Sequence, residues 1–502
     1  MRALVSVYDK TGLAVFARGL VDLGVELVSS GGTSAALADA GIPHTAVEEV
    51  TGSPEMLGGR VKTLHPRIHG GILADRSKPE HAADLEAQGI EAIDLVVCNL
   101  YPFRSQPSVE MIDVGGPTMV RAAAKNWASV GVVVDPGDYG EVLDELRCNG
   151  VLAEATRRRL ARAAFAHTAA YDAAIVAWFD EEGDDELLPV TLHLALERSD
   201  EKLRYGENPH QRAARYREVG RSSWWDEVEQ LAGLALSYLN IYDTEAAWRL
   251  VHDLGAGPAC AIIKHANPCG VAVAGDVVTA YRRALAADEK SAFGGVVAVN
   301  GPVTEEVADA IVGAPQADVV VAAGFEPAAV EKLVGRRKAT RLLRAVPPDP
   351  QRRSFREIGG GFLVQDPHHF ETARADWRVV TRAVPTDEEW RDAELAWRIG
   401  GHVKSNSIVL VKGGAAVGIG AGQQSRVDAA ELAARKAAGR AEGGACASDA
   451  FYPFRDGVDA AVAAGVAVVI QPGGSLRDDE VIAAADEHGV AMVLTGERHF
   501  LH

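Results

Sequence analysis

The chain has 502 residues, of which 47% are hydrophobic and 24% charged, and it carries a formal net charge of −19. This apolar content can fill the cores of roughly two to four domains, and the absence of any apolar run of about 18 residues excludes a membrane-spanning helix. The acidic balance argues against nucleic-acid binding, whereas five scattered cysteines without a CxxC motif argue against a disulfide framework and favour a reducing cytosol.

Residues 1–150 alternate between apolar strands and helices with amphipathic spacing, and a long helix follows. Strands are predicted at 2–8, 25–29, 93–99 and 130–134, and helices at 11–23, 33–40 and 153–180. The first strand begins at once, without the apolar segment of a signal peptide. Repeated strand–helix units predict an α/β fold with a doubly wound parallel sheet. An acidic segment at 180–186 followed by Pro189 predicts a linker, with a domain boundary near residue 190.

Residues 191–502 are too many for one simple layer, and they contain a diverged internal repeat. One copy holds KHAN at 264–267, a helix near 281–287, and SAFG at 291–294. The other holds KSNS at 404–407, a helix at 429–437, and SDAF at 448–451. The pattern predicts two related α/β units.

Three glycine-containing segments in the first 150 residues indicate an anion site. SSGGT at 29–33 joins a strand to a helix, where free N–H groups favour a phosphate, although a tight turn capped by Thr33 explains it equally well. GGRVKTLHPR at 58–67 concentrates cations in one loop of an acidic protein. DVGGP at 113–117 enters a helix with Arg121 and Lys125 on one face, which is also expected of an ordinary basic surface. Tyr101 follows a strand at the sheet edge where such folds bind ligands.

A distinctive polar pair ends an apolar strand in the second half of the chain. Lys264 and His265 follow AII at 261–263 and precede a turn at Asn267-Pro268. Adjacent titratable groups seldom end a core strand unless they are used, and histidine is a common general base. The pair is therefore interpreted as catalytic. LRYGENPHQ at 203–211 has the composition of a binding loop.

Two further motifs are similar to known signatures but do not complete them. GIGAGQQSR at 418–426 lacks the GxGxxG spacing and an acidic ribose partner, so its glycines indicate close backbone approach to a ligand, with Arg426 on an anion. HANPC at 265–269 is similar to the zinc deaminase signature. There Asn267 replaces the glutamate and Ala272 the second cysteine, which leaves too few zinc ligands.

Motifs along nearly the whole chain resemble those of the bifunctional AICAR formyltransferase and IMP cyclohydrolase family. The first part contains SVYDKTGL, SSGGTSAAL, EMLGGRVKTLHPRIHGGIL, CNLYPF and IDVGGPTMVRAAAKN. The second contains LRYGENPHQ, KHANPCGVA, SAFGG, HVKSNSIV, GIGAGQQSR, ASDAFYPF, QPGGSLRDDEVI and TGERHF. The resemblance implies a methylglyoxal-synthase-like cyclohydrolase domain over 1–190. It implies a formyltransferase domain of two cytidine-deaminase-like α/β units over 191–502.

For the first domain, the resemblance implies a nucleotide site beside a cyclising centre. Lys62, Tyr101, Asp113 and Lys125 would surround the reacting base, with cations stabilising the oxyanion and lysine or tyrosine moving protons. The nucleotide phosphate and ribose would be held by Lys10, Ser30, Gly31, Gly32, Thr33, Arg60, Thr63, Cys98 and Asn99.

For the second domain, the resemblance implies a formyl-transfer site. His265 would act as general base on the AICAR amine, and Lys264 would stabilise the oxyanion or assist the folate leaving group. Asn406 would orient the amine or the formyl group. The nucleotide would be held by Arg204, Tyr205, Arg426 and Arg498, while Phe451, Asp456, Ser475 and Phe500 would lie near the folate or base.

The implied function is the last two steps of purine-nucleotide synthesis. The co-substrate 10-formyltetrahydrofolate gives its formyl group to AICAR, and the product FAICAR closes to IMP with loss of water. The expected partners are these small molecules, with no nucleic acid, no membrane and no required metal, and a monovalent cation is left open. A cytoplasmic homodimer with a shared transferase site is expected.

Three alternatives stay open. Tyr8 stands where relatives have a small serine, and only eleven residues separate Tyr101 from Asp113, fewer than in relatives. These departures leave room for a formyltransferase whose first domain is only a nucleotide-binding or regulatory module. A zinc nucleoside deaminase would hold stoichiometric zinc. A scaffold protein would tolerate loss of Lys264 and His265.

Overall fold

The computed structural model describes residues 1–181 and 188–502 of the chain. The predicted linker at 180–186 therefore lies largely outside the described residues. The chain divides into two compact units, one of Met1–Glu197 with Glu218–Gly220, the other of Arg198–Arg217 with Arg221–His502. The domain boundary near residue 190, and the assignment of one activity to each domain, stay predictions.

The first unit is a parallel sheet covered by helices. Its strands are β1 (Arg2–Val5), β2 (Glu26–Ser29), β3 (Thr45–Ala46), β4 (Leu95–Val97) and β5 (Gly131–Val133). Its helices are α1 (Leu13–Asp22), α2 (Gly31–Asp39), α3 (Val47–Thr51), α4 (Pro66–Leu73), α5 (Pro79–Ala87), α6 (Gly115–Lys125), α7 (Tyr139–Asn149) and α8 (Glu154–Glu181). Short 3-10 turns lie at Leu57–Gly59, Val109–Met111 and Pro136–Asp138.

The strand order β3-β2-β1-β4-β5 makes the sheet doubly wound, as predicted. Alternate residues of the buried strands enter two separate cores. Leu4 and Val28 pack with residues of α4, α6 and α8 on one face. Val5 and Leu27 pack with residues of α1, α2 and α7 on the other. Because the chain winds outward in both directions from β1 and β4, a crevice is expected between the carboxyl ends of these two strands.

Two short strands, β6 (Leu196–Arg198) and β7 (Tyr216–Glu218), form a ribbon where the chain passes between units. The later strands are β8 (Glu229–Ala232), β9 (Ala259–Lys264), β10 (Asn267–Val273), β11 (Val296–Val303), β12 (Val319–Phe325), β13 (Arg341–Arg344), β14 (Ser354–Ile358), β15 (Gly361–Gln365), β16 (Arg378–Val379), β17 (Ile408–Lys412), β18 (Ala415–Gly420), β19 (Ala445–Ser448), β20 (Val468–Gln471) and β21 (Ala491–Leu494).

The helices of the second unit follow the same chain order. They are α9 (Tyr238–Asp253), α10 (Val277–Ala287), α11 (Glu289–Ala292), α12 (Glu305–Val312), α13 (Pro327–Arg336), α14 (Asp387–Gly400), α15 (Arg426–Ala437), α16 (Arg455–Val462) and α17 (Asp478–His488). Short 3-10 turns lie at Trp224–Asp226 and Arg374–Asp376. Strands β14 and β15 form a separate ribbon.

The large sheet of the second unit is a duplication. Its order is β16-β21-β20-β19-β17-β18-β10-β9-β11-β12-β13-β8, with the hairpins β9–β10 and β17–β18 side by side at the centre. Outward from β9, the strands β11, β12 and β13 are parallel to one another, and β8 is the antiparallel edge strand. Outward from β17, the strands β19, β20 and β21 are parallel to one another, and β16 is the antiparallel edge strand. The predicted internal repeat is therefore present. The likeness of each half to cytidine deaminase stays a prediction.

The predicted pairing of motifs between the two copies is wrong. Ile263 lies opposite Val296, and Val411 lies opposite Ala445, which makes Lys264 equivalent to Lys412 rather than to Lys404. KHAN at 264–267 thus corresponds to KGGA at 412–415. SAFG at 291–294 precedes β11, whereas SDAF at 448–451 lies at the end of β19, the strand equivalent to β11, so these two motifs do not correspond either. KHAN and KSNS look alike because each has a lysine followed by polar residues. The segments that are equivalent in the fold, KHAN and KGGA, instead share the geometry of a turn.

Both faces of the large sheet are covered by helices. Helices α9 and α14 bring the buried Trp248 and Trp397 against one face, together with Ile263 and Val409. The opposite face packs Ile262 in one core and Leu410 in another. Within the described residues, no helix combines the length and the apolar character needed to cross a lipid bilayer.

Candidate active sites

The first candidate site lies where β1, β2 and β4 of the first unit end. Asn99, just after β4, fastens the loop that follows β1. Its Oδ1 accepts hydrogen bonds from the backbone N–H groups of Tyr8 (2.6 Å) and Asp9 (2.9 Å), and its Nδ2 donates to the Asp9 carbonyl at 3.0 Å. Lys10 Nζ donates to the Tyr8 carbonyl at 3.2 Å. Asn99 therefore holds the lysine-bearing loop at the sheet edge.

The turn after β2 approaches the cations closely. Gly31 begins α2 with a positive φ of 55°, and a Cβ atom there would lie 3.1 Å from Lys62 Nζ. A Cβ atom on Gly32 would lie 3.9 Å from Lys10 Nζ. Because both residues are glycines, the backbone N–H groups at the start of α2 and two ammonium groups can lie close together. Such a group of donors is suited to binding an anion. The Thr33 hydroxyl is occupied by hydrogen bonds with the Val7 backbone, each of 2.9 Å.

Asp113 and Lys62 lie close enough to Tyr101 to influence its ionisation. Burial, and then the Asp113 carboxylate, raise the pKa of Tyr101, while Lys62 opposes the rise. Burial also raises the pKa of Asp113, although the N–H of Gly116 donates to its Oδ1 at 2.8 Å and lowers it. Lys62 Nζ lies 2.9 Å from Glu55. A phenol kept protonated, a perturbed carboxyl and an ammonium are suited to moving a proton next to an oxyanion.

The short segment before Asp113 does not separate it from Tyr101, because the two influence one another electrostatically. Tyr171 on α8 fixes this arrangement: its hydroxyl accepts from Asp113 N at 2.8 Å and donates to the Met111 carbonyl. The Tyr8 ring packs edge-on against the Tyr101 ring, with centroids 5.7 Å apart. Tyr8 is therefore an immediate neighbour of the candidate catalytic tyrosine.

The remaining predicted residues of the first site differ in burial. Thr63 and Cys98 are buried beside it, and burial raises the pKa of the Cys98 thiol. Arg60 is exposed and paired with Glu110 at 2.5 Å. Lys125 is exposed at the end of α6, and its predicted place beside the reacting base stays a prediction.

The second candidate site follows one edge of the large sheet. At this edge, named here the composite edge, β9 and β18 to β21 end, while β10, β11, β12, β13 and β17 begin. Lys264 ends β9, and its Nζ donates to the Gly294 carbonyl at 3.0 Å. His265 follows in the turn to β10, with a positive φ of 55° and an exposed side chain. Asn267 then accepts from Lys404 N at 3.0 Å and connects the two halves.

Asn406 and Arg426 lie on this edge within one hydrogen-bonded group. Arg426 donates to Asn406 Oδ1 at 2.9 Å and to Asp449 Oδ1 at 2.8 Å, and the Asp449 side chain is fully buried. The Asn406 amide donates to the carbonyls of Gln423 and Gln424, both at 3.0 Å. The Arg426 charge is thus shared with a buried carboxylate. Its predicted phosphate contact stays a prediction.

The C-terminal tail adds exposed side chains on both sides of a buried anchor. Arg498 and Phe500 are exposed, with the guanidinium 4.5 Å from the ring centre. Between them His499 is buried, lies 2.6 Å from His368 and donates its backbone N–H to the Asp449 carbonyl at 2.9 Å. Lys404 Nζ donates to the His502 carbonyl at 2.6 Å. The tail is therefore tied to the composite edge, as its predicted role requires.

The anchor should make stability depend on pH. Burial, followed by the neighbouring His368, lowers the pKa of His499 to about 4. Since an unfolded histidine titrates near ~6.5, the unfolded chain binds the extra proton between these values, so stability falls by up to about 1.4 kcal/mol per unit as pH decreases from 6.5 to 4. We expect His499→Gln to lose less thermal stability than the unmodified protein between pH 7 and 5, measured by circular dichroism.

The matched control for this change is His369→Gln, because the His369 side chain is 66% exposed. It should follow the unmodified protein at every pH. Equal losses of thermal stability in the unmodified protein and His499→Gln would contradict the assignment of the pH dependence to the tail anchor.

The other predicted transferase residues are spread along the composite edge. Phe451 and Asp456 follow β19, and Ser475 follows β20. Arg204 lies 5.4 Å from the Tyr205 ring, and its charge helps lower the pKa of the buried Arg341 at the start of β13, after burial itself. Phe500 belongs to the tail that Asp449 and Lys404 hold, near the end of β19 and the start of β17. A shared site for Arg204 and Phe500 stays a prediction.

Three buried residues of the second site were not anticipated from the sequence. Asp243 on α9 accepts backbone hydrogen bonds from His265 and Ala266, Asp449 accepts from Arg426, and His499 anchors the tail. Tyr171 has a comparable supporting role in the first site. The available signal was weak: SDAF places Asp449 after an apolar strand, and TGERHF places His499 between two predicted ligands.

Among the described residues of both units, no group of three or more His, Cys, Asp or Glu side chains is placed to hold a metal ion. The cysteines are free, with Cys148 exposed and the other four buried.

Two family models and 20 chains of solved structures match this chain. A family model described as AICARFT/IMPCHase bienzyme matches residues 123–436, more than half of the chain. A model of the MGS-like domain matches residues 12–125. A structure titled "Crystal structure of ForH" is 39% identical, covering 36% of this chain and 98% of its own, with a TM-score of 0.34. That TM-score is too low to support a statement about the fold.

Proposed function

We infer the function from one premise: this chain belongs to the AICARFT/IMPCHase bienzyme family. It is an enzyme of AICAR formyltransferase and IMP cyclohydrolase type, which uses a folate-type one-carbon donor. We propose two specific steps. First, 10-formyltetrahydrofolate transfers its formyl group to AICAR, giving FAICAR and tetrahydrofolate. Second, FAICAR closes to IMP with loss of water.

The observation that carries the transfer step is the pair at the end of β9. Lys264 is held by the Gly294 carbonyl, and His265 is exposed next to it in a backbone conformation that non-glycine residues seldom adopt. In the proposed step, neutral His265 takes a proton from the AICAR amine as the nitrogen attacks the formyl carbon. The Lys264 ammonium stabilises the oxygen anion and the departing folate nitrogen, which takes up the proton from His265 as its bond to the formyl carbon breaks.

Binding at the composite edge is assigned by side-chain chemistry. Arg204, Tyr205 and Arg498 are proposed to bind the nucleotide with Arg426, and Asn406 to orient the reacting groups. The exposed Phe451 and Phe500 supply aromatic surface that suits a flat pterin ring, with Asp456 and Ser475 beside it as polar partners.

The cyclisation step is assigned to the first unit. The FAICAR carboxamide nitrogen attacks the formyl carbon, and the new oxyanion is proposed to form beside Lys62. Asp113 accepts a proton from the attacking nitrogen, and Tyr101, whose pKa is raised, protonates the oxyanion to a hydroxyl. This hydroxyl then leaves with the formamide N–H proton as water, which forms the C=N bond of the ring. Lys10 and the N–H groups at 30–33 are proposed to bind the phosphate, with Arg60, Thr63, Cys98 and Asn99 around the nucleotide. Lys125 stays a proposed member only.

A direct assay tests this function. FAICAR supplied alone should give IMP, and AICAR supplied with 10-formyltetrahydrofolate should give tetrahydrofolate. Transfer without cyclisation would favour the alternative in which the first unit is a nucleotide-binding or regulatory module. Stoichiometric zinc whose removal abolishes activity would favour a deaminase instead.

The internal duplication supplies a matched control for Lys264. Lys412 occupies the equivalent position and donates to the Gly443 carbonyl at 2.9 Å, as Lys264 donates to Gly294. We expect Lys264→Met to lower kcat for formyl transfer by about 10²–10³-fold, because the oxyanion loses its cation. Lys412→Met should change it by less than about threefold. Tetrahydrofolate formation measures both, and similar losses in the two variants would contradict the proposed role.

The oligomeric state and compartment are also proposals. We propose the homodimer that the resemblance implies, in which a second copy completes the transferase site. Analytical ultracentrifugation tests this, and a monomer with full transferase activity would contradict it. The free cysteines suit a cytoplasmic location, which cell fractionation tests.

A further inference from the structure

The two halves of the large sheet contain the same two-residue turn with different side chains. In the first half, His265 and Ala266 join β9 to β10, and both have a φ of 55°. In the second half, Gly413 and Gly414 join β17 to β18, with φ of 58° and 81°. Each turn follows the equivalent lysine, Lys264 or Lys412. The duplication has therefore kept one backbone conformation and changed the residues that adopt it.

An aspartate holds each turn in the same way. Asp243 accepts hydrogen bonds from the N–H groups of His265 (3.3 Å) and Ala266 (2.8 Å). Asp392 accepts from Gly413 and Gly414, both at 2.7 Å. Both carboxylates are buried, with exposed fractions of 7% and 1%. The two aspartates also occupy equivalent places in their helices, α9 and α14.

The difference between the turns indicates where the aspartate matters for chemistry. Glycine adopts a positive φ without the steric cost that a Cβ atom imposes, so Gly413 and Gly414 suit this turn by themselves. His265 and Ala266 do not, and two hydrogen bonds to a carboxylate offset that cost. The strained turn is also the one that presents an exposed imidazole beside Lys264.

We propose that Asp243 is a positioning residue for formyl transfer: by binding the two backbone N–H groups of the turn, it fixes the place of the His265 imidazole relative to Lys264 and the bound amine. This inference rests on the proposed function of the same site. Asp392 performs the same backbone task in a turn without a reactive side chain, and has no part in transfer.

The experiment compares Asp243→Asn with Asp392→Asn in the full-length protein. Each change keeps the side-chain shape but replaces an acceptor oxygen with an NH₂ group, which cannot accept from a backbone N–H. We expect Asp243→Asn to lower kcat for formyl transfer by about tenfold or more, because misplacing a catalytic group slows the reaction steeply. The KM for AICAR and the rate of FAICAR cyclisation should change by less than about threefold. Asp392→Asn should leave all three within that range.

A purely structural role is distinguished by a second pair of variants. His265→Gly copies the residue of the second turn, so Asp243→Asn introduced into it should not slow the residual transfer rate further. Asp243→Glu keeps both acceptor oxygens, and is expected to be faster than Asp243→Asn; it also serves if Asp243→Asn does not fold.

Several results would overturn the inference. An unchanged kcat in Asp243→Asn would do so, as would an equal loss of kcat in Asp392→Asn or the same fractional loss with and without His265. So would an Asp243→Glu rate no higher than that of Asp243→Asn. Where only Asp243→Glu folds, a rate no lower than that of the unmodified protein would overturn it. No transfer by the unmodified protein would instead remove the proposed function together with this inference, so the two failures are distinct.

Discussion

Replacement of His265 by glycine is expected to slow formyl transfer by about 10²–10⁴-fold, the range typical for loss of a general acid–base group. Glycine fits the positive φ of 55° at this position better than histidine does, so the thermal midpoint should not fall. The loss would then report chemistry rather than folding. Single-turnover formation of tetrahydrofolate from 10-formyltetrahydrofolate and AICAR measures it.

The control for this prediction is the second activity of the same protein. FAICAR cyclisation, assigned to the other unit, should proceed at the unmodified rate in His265→Gly. A transfer rate within about threefold of the unmodified enzyme would contradict general-base catalysis by His265, given the size of effect expected from its loss.

Replacement of Lys62 by methionine is expected to slow cyclisation of FAICAR by about 10²–10³-fold, because the new oxyanion loses its nearest cation. Lys62 is also the ammonium group that lies against Gly31 and that opposes the raised pKa of Tyr101. Removing it should therefore weaken both anion binding and proton donation. IMP formation from FAICAR, followed by ultraviolet absorbance, measures the effect.

Lys78→Met is the matched control for Lys62→Met. Lys78 is 52% exposed in the same unit, and its nearest carboxylate, Asp75, lies 3.8 Å away. It should leave cyclisation unchanged, and formyl transfer should be normal in both variants. Full cyclisation by Lys62→Met would exclude Lys62 from the proposed mechanism.

Much of the fold follows from local sequence patterns. Runs such as LVV at 95–97 are apolar throughout, and strands of that kind are buried on both faces of a parallel sheet. Turn chemistry also identified the glycines at 31 and 32 and the end of β9 at Lys264. These signals are local, because each depends on a few consecutive residues.

The supporting residues could not be predicted in the same way. Asp243 is 22 residues from His265, and Asp449 is 23 residues from Arg426, so their hydrogen bonds exist only once the strands have paired. Residues far apart in sequence are thus brought together by the fold, which no local pattern reveals.

A signal for the correct repeat was nevertheless present. Ser237 and Thr386 begin α9 and α14, an aspartate follows six residues later in each, and Trp248 and Trp397 follow five residues after that. Both tryptophans are buried against the sheet. This helix pattern aligns Asp243 with Asp392 and, to within one residue, His265 with Gly413, whereas the lysine-based match misplaced the second copy by eight residues.

The most direct test of the proposed two-step function is the fate of one carbon atom. The protein is mixed with AICAR and 10-formyltetrahydrofolate that carries ¹³C in its formyl group, and the products are followed by NMR. The proposed function predicts that the label passes through FAICAR into IMP, at the ring carbon between two nitrogens. Label that stays on the folate, or that accumulates in FAICAR without entering IMP, would contradict it.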